Sequence, residues 1–162
     1  MSLAEVTTLP CLQGLLHISV KTADVPATVN FYRDLLGMIE VERPAFDFPG
    51  AWLATPPPAR GILIHLYGGE TALDANGTVP SGSGAIDHVA ITAIGFQEMR
   101  SKIIASGKNW RQNIPPGTQI WQLFVRDPNG ILIELTFDGV EENGPAPSRE
   151  DGHWYDAYEN FN

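Results

Sequence analysis

Gly61-Ile62-Leu63-Ile64-His65-Leu66 returns downstream as Gly130-Ile131-Leu132-Ile133-Glu134-Leu135, with one substitution between the two copies. The position that differs holds His65 in the first copy and Glu134 in the second. A β-branched apolar run of this length, opened by glycine, predicts a buried strand. Side chains alternate along a strand, so Ile62, Ile64 and Leu66 share one face, and Leu63, His65 and Tyr67 the other. In the second copy Ile131, Ile133 and Leu135 oppose Leu132, Glu134 and Thr136. An ionisable group in mid-strand is costly to bury unless a charge or hydrogen bond meets it. Two of them at equivalent places in a repeat point to a shared partner, and a metal ion is the simplest.

The repeat extends upstream. Leu15-Leu16-His17-Ile18-Ser19-Val20 alternates, with Leu16, Ile18 and Val20 on one side and His17 and Ser19 on the other. Ile86-Asp87-His88-Val89-Ala90-Ile91 has the same pattern and puts His88 where His17 stands. After the first of these runs, Asp24 is a helix cap and Pro26 suits a first turn. Val25, Val29, Tyr32, Leu35 and Leu36 recur at helical spacing up to Gly37. Strands are predicted at Met38 to Val41 and Ala51 to Ala54, then a loop at Pro56-Pro57-Pro58 and the strand Ile62 to Tyr67. In the second half a helix is expected over Gly95 to Ser106, with strands at Trp110 to Ile114, Ile120 to Arg126 and Ile131 to Phe137. Asp127-Pro128-Asn129-Gly130 predicts a tight hairpin turn. The order is βαβββ twice, and paired positions lie about 70 residues apart.

The fold class is therefore α+β, two βαβββ modules with curved sheets around a cavity. The expected divisions are an N-terminal extension over 1–14, a first module over 15–69, and a linker over 70–85 rich in Gly, Ser and Thr. A second module over 86–138 and an acidic, aromatic tail over 139–162 complete the chain. In the tail, Trp154, Tyr155, Tyr158 and Phe161 read as packing anchors, folding over their own domain or a second chain. Trp52, Trp110 and Trp121 fall on strands, where core packing is the default.

Composition bounds the function. The 162 residues carry a net charge of -9, and the mean hydropathy is -0.08. That acidity argues against a nucleic-acid partner, and no basic run suggests a membrane surface. No apolar stretch approaches the ~20 residues of a membrane span. Met1 to Pro10 lacks the basic start and apolar core of a signal peptide. The single cysteine, Cys11, forms no intrachain disulfide and reads as a filler residue, so a reducing, cytoplasmic setting is expected.

His17, His65, His88 and Glu134 are thus the candidate ligands, two per module. Imidazole nitrogens and a carboxylate oxygen suit a borderline divalent cation such as Fe, Ni, Co, Zn or Mn. His17, His88 and Glu134 alone make a two-histidine, one-carboxylate face. The sequence leaves open whether the pairs meet within one chain or across two chains of a homodimer, the assembly expected here.

These motifs resemble the vicinal oxygen chelate superfamily, the group of glyoxalase, bleomycin-resistance and extradiol dioxygenase proteins. The matching residues are Leu16-His17-Ile18, Asn30-Phe31-Tyr32-Arg33-Asp34-Leu35-Leu36-Gly37-Met38, Asp87-His88-Val89-Ala90, Arg126-Asp127-Pro128-Asn129-Gly130 and Ile133-Glu134-Leu135. They span Leu15 to Phe137. The resemblance implies paired βαβββ modules, one divalent metal and a small substrate that chelates it through neighbouring oxygens. Glyoxalase-like lyase or isomerase chemistry is the first expectation, with Glu134 or His65 moving the proton. The chain departs from bacterial glyoxalase I in having His65 where that enzyme has a carboxylate. Arg33, Arg43, Lys108 and Arg111 form no clear set for glutathione and read as solvated charges. An extradiol dioxygenase would use His17, His88 and Glu134 as iron ligands and His65 as acid or base. Against that, Phe124 stands where such enzymes often carry tyrosine. A metal-free, drug-sequestering protein of the bleomycin-resistance type is the third expectation, and four intact donors argue against it.

Overall fold

A computed structural model of the chain describes residues 12, 14–58 and 61–159. The first module is β1 (Ile18–Lys21), α1 (Val25–Asn30), β2 (Ile39–Val41), β3 (Gly50–Ala54) and β4 (Ile62–Tyr67). The second is β5 (Val89–Thr92), α2 (Phe96–Ala105), β6 (Trp110–Asn113), β7 (Ile120–Arg126) and β8 (Leu132–Asp138). Each module forms a four-stranded mixed sheet, ordered β1-β4-β3-β2 and β5-β8-β7-β6. In each, the last strand lies centrally, parallel to the first and antiparallel to the third. The paired βαβββ, α+β architecture read from the repeat is the one observed.

The register carries the repeat into space. His65 is flanked by Ser19 on β1 and Trp52 on β3. Glu134 is flanked by Ala90 on β5 and Phe124 on β7. His17 and His88 each precede the residue that opens the first strand of their module, and so lie beside these central positions on the same face. Leu16 departs from its expected place. Pairing starts only at Ile18 with Ile64, and Leu15 and Leu16, ahead of it, are exposed rather than buried.

Helix α1 is capped as expected: the Asp24 carboxylate accepts from the Ala27 amide at 2.9 Å. Its continuation, Phe31–Leu35, is not ordinary α-helix but a wider π turn, in which the Leu36 amide reaches back to the Phe31 carbonyl at 3.2 Å. Gly37, at a φ of 77°, then reverses the chain, a conformation few other residues adopt. The linker expected over 70–85 is entered through a 3₁₀ turn, Gly69–Ala72, whose Ala72 is buried.

The helix-facing side chains of both sheets join one core. Val20, Leu53, Ile64 and Leu66 share it with Leu123, Val125, Ile133 and Phe137, and with Val29, Tyr32, Phe96 and Ile103 of the helical segments. Buried Tyr32 donates to Asp127 Oδ2 at 3.1 Å, and Asn129 Nδ2 donates to Thr28 Oγ1 at 3.3 Å. The first module's helix is thereby fastened to the second module's β7–β8 turn. The modules meet on their helical side, and the opposite sheet faces, with His65 and Glu134, lie outside the shared core. Among the described residues no helix is long and apolar enough to cross a membrane.

The tail folds over its own second module. The Gln112 amide donates to the His153 carbonyl at 2.7 Å, and the Tyr155 amide to the Gln112 carbonyl at 2.8 Å, so the tail runs along the outer edge of β6. Of the expected anchors, Trp154 and Tyr155 are held there. Tyr158 is 98% exposed and is no anchor, because the chain has left the sheet edge by then. Phe161 and Cys11 lie outside the described residues. Trp110 and Trp121 are core residues, whereas Trp52 faces the histidines.

Candidate functional site

The first module presents a stack of rings. His17 lies on His65 with centroids 3.9 Å apart, and His65 on Trp52 at 4.3 Å. Strand pairing sets Trp52 and His65 side by side, and His17 enters from the start of β1. Partial burial, and then the neighbouring His17, hold the His65 imidazole below its ordinary titration range. At neutral pH that ring is uncharged, with a lone pair to offer. Beyond Trp52 the face stays aromatic, with Phe46 stacked on Phe48 and Phe48 edge-on to Tyr67. Arg43 is not the solvated charge expected. Its guanidinium lies over the Phe46 and Phe48 rings and donates to the Phe48 carbonyl. Arg33 instead lies on the surface, paired with Asp34.

The second module presents an acid held by donors. Glu134 is 5% exposed. Its Oε1 accepts from Gln122 Nε2 at 2.6 Å and from Thr136 Oγ1 at 2.7 Å. Its Oε2 lies 2.9 Å from His88 Nε2. The other ring nitrogen of His88 meets Asp87 Oδ1 at 2.7 Å, which fixes the ring's orientation. Phe124, across the strand from Glu134, meets His88 edge-to-face with centroids 6.1 Å apart, and Tyr155 stacks on Phe124 at 4.1 Å.

The four expected donors are therefore brought together as two pairs, His17 with His65 and His88 with Glu134. Within one chain the pairs do not join: among the described residues no three histidine, cysteine or carboxylate side chains converge on a common point. Asp87, Gln122, Thr136 and Tyr155 complete the second pair and were not anticipated as site residues. Gln122 and Thr136 could have been found, since alternation along β7 and β8 puts both on the face of Glu134 and the strands pair them directly. Tyr155 left no such signal, because its position depends on a contact with β6 more than forty residues away.

Comparison with known proteins agrees with this fold. Residues 14–135 match the family model of the Glyoxalase/Bleomycin resistance protein/Dioxygenase superfamily. The chain is 29% identical over 135 residues to Glyoxylase I 4 of Arabidopsis thaliana, covering 76% of this chain and 70% of that protein. It is 29% identical over 128 residues to the lactoylglutathione lyase of Escherichia coli O157:H7, covering 75% of this chain and 90% of that one. The fosfomycin resistance protein FosX of Listeria monocytogenes shares the fold at a TM-score of 0.59 and 16% identity, over 78% of this chain and 94% of the other.

Proposed function

Because this chain belongs to the Glyoxalase/Bleomycin resistance protein/Dioxygenase superfamily, we propose that it is a divalent-metal-dependent lyase or isomerase of the glyoxalase kind. Its substrate is a small molecule that presents two neighbouring oxygens. Its site is completed between two copies of the chain, His17 and His65 of one facing His88 and Glu134 of the other.

The observation that carries this reading is the buried carboxylate of Glu134 beside His88. Their facing atoms are 2.9 Å apart, close to the ~3 Å between adjacent ligands that each lie ~2.1 Å from one cation. A nitrogen and a carboxylate oxygen at that distance share a proton, and a cation can take its place. The other Glu134 oxygen is occupied by Gln122 and Thr136, which leaves Oε2 to face the ion or the substrate. His17 and His65 add two imidazoles, and the neutral His65 is ready to bind without first losing a proton. The between-chains arrangement is supported by the separation of the pairs and by exposed apolar residues beside both, Leu15 and Leu16 next to His17 and Ile86 near His88.

When bound, the cation would act as a Lewis acid that polarises the substrate's chelating oxygens. Glu134 takes a proton from the carbon next to the carbonyl and delivers it to the neighbouring carbon, and its burial keeps that proton from exchanging with bulk water. His65 is the second proton carrier available from the partner's pair. Trp52, Phe46 and Phe48 give the site an aromatic wall on the first module's side.

The test is metal analysis of the purified protein followed by turnover under nitrogen. The probe is the hemithioacetal of methylglyoxal and glutathione, followed by thioester formation. Protein loaded with Ni, Co or Zn that forms thioester without oxygen supports the reading. One observation favours the extradiol dioxygenase reading: His65, held neutral, is suited to accept a substrate proton beside a His17, His88 and Glu134 ligand set. Oxygen uptake by the Fe(II) form with catechol, and no thioester, would select it. A protein that takes up no metal yet binds an aromatic drug tightly would select the sequestering role.

A further inference from the structure

The tail is fastened to the second module at several points between Glu142 and Tyr155. The Glu142 carboxylate accepts from the Gly95 and Phe96 amides at 2.9 and 2.7 Å, closing the start of α2. Buried Gln112 donates from its side chain to the Ser148 and Gly152 carbonyls, both at 3.2 Å. Arg100 meets Asp151 at 3.4 Å. His153 stacks on Trp110 at 4.4 Å. Among the described residues, the last backbone tie is the Tyr155 amide to the Gln112 carbonyl. Beyond it, residues 156–159 turn on their own hydrogen bonds, with Asp156 accepting from the Tyr158 and Glu159 amides.

What these ties deliver is a phenol at the candidate site. Tyr155 lies flat on Phe124, the cross-strand neighbour of Glu134 whose ring abuts His88. A packing role alone needs only the ring. The hydroxyl adds a hydrogen-bond donor on a ring that stacks on Phe124, which itself meets His88 and pairs across the strands with Glu134. Partial burial, and then the charges of Asp87 and Glu134, favour the protonated, donating phenol over the phenolate.

We propose that Tyr155 is a substrate-contacting residue, carried in by the tail, whose hydroxyl donates a hydrogen bond to an oxygen of the chelating substrate held at His88 and Glu134. The proposal rests on the functional reading above and extends it, since the second module's donor pair then has a polar neighbour supplied by this chain's own tail. Phe124 supplies the apolar floor and Tyr155 the donor, so the pair does from two segments what one tyrosine on β7 would do.

The experiment uses the full chain loaded with Ni(II) and titrates acetohydroxamate, a small ligand with two neighbouring oxygens, by calorimetry. Wild type, Tyr155→Phe, Tyr155→Ala and the exposed control Tyr158→Phe are compared, with metal per chain and thermal midpoint measured for each. We expect Tyr155→Phe to keep wild-type metal content and midpoint but to bind the hydroxamate about tenfold to a hundredfold more weakly, the effect of losing a hydrogen bond to a charged oxygen. Tyr158→Phe should match wild type. Unchanged hydroxamate affinity in Tyr155→Phe overturns the proposal. So does a fall in its midpoint or metal content equal to that of Tyr155→Ala, which marks a structural role. If wild type itself takes up no Ni(II), the functional reading fails, and the role of Tyr155 falls with it. If wild type binds both metal and hydroxamate while Tyr155→Phe binds as wild type does, the metal site of the functional reading stands and the role of Tyr155 alone is overturned.

Discussion

Glu134 shows how much one residue's setting decides. A carboxylate in mid-strand would be costly to bury alone, and here three donors meet it, from Gln122, Thr136 and His88. Glu134→Gln keeps the shape and the acceptor oxygen while removing the proton acceptor. Its kcat should fall by about 10²–10⁴-fold, and its thermal midpoint should stay near that of wild type; steady-state kinetics beside a melting curve checks both. His65 supports a prediction about the metal-free protein. Its imidazole titrates below the unfolded chain's ~6.5. In the window between the two values the unfolded chain binds the extra proton, so stability rises with pH there and is lost as pH falls through it. His65→Phe keeps a ring between His17 and Trp52 but has no proton to gain. Urea unfolding of the metal-free proteins from neutral to mildly acidic pH should therefore show a steeper loss in wild type than in the variant. Parallel pH profiles would remove the basis for a neutral His65. The sequence singled out four positions because they match between the two halves of the repeat, and the structure sets them in two pairs; their role as metal donors is the proposal's. Asp87, which orients His88, was beside it but carried no pattern of its own.

At the scale of elements, alternation made the strands easy to read, for it separates the side chains of Ile64 and Leu66 from those of His65 and Tyr67. The same alternation misplaced Leu16, because a strand begins where a partner begins, and β4 supplies one only from Ile18. The π turn at Phe31–Leu35 was not legible, since Tyr32, Leu35 and Leu36 recur at spacings that suit either helix. The β7–β8 turn was legible from Asp127-Pro128-Asn129-Gly130, but its second task was not. Asp127 accepts from the Asn129 and Ile131 amides within the turn and also from the Tyr32 hydroxyl, 95 residues away. Tyr32→Phe should leave a buried carboxylate with one donor fewer and cost about 1–3 kcal/mol. Chemical denaturation would measure it, and a loss well below that range would mean the bond contributes little to holding the modules together.

For the whole molecule, the repeat implied a shared cation but could not say which surfaces meet. The core shared by both sheets answers part of that question, since it joins the modules on their helical side and leaves each donor pair on an outer face. A cation bound by all four donors then calls for a second chain, related by the twofold symmetry usual in dimers. Two inactive variants test this directly, one with His17→Ala and His65→Ala, the other with His88→Ala and Glu134→Ala. Each homodimer lacks one pair at both sites and should be inert. Mixed after unfolding and refolded together, random pairing makes half the dimers mixed, and each of those has one intact site of two. About a quarter of wild-type metal uptake and turnover should return. No recovery from a mixture shown to contain mixed dimers would contradict a site built between two chains.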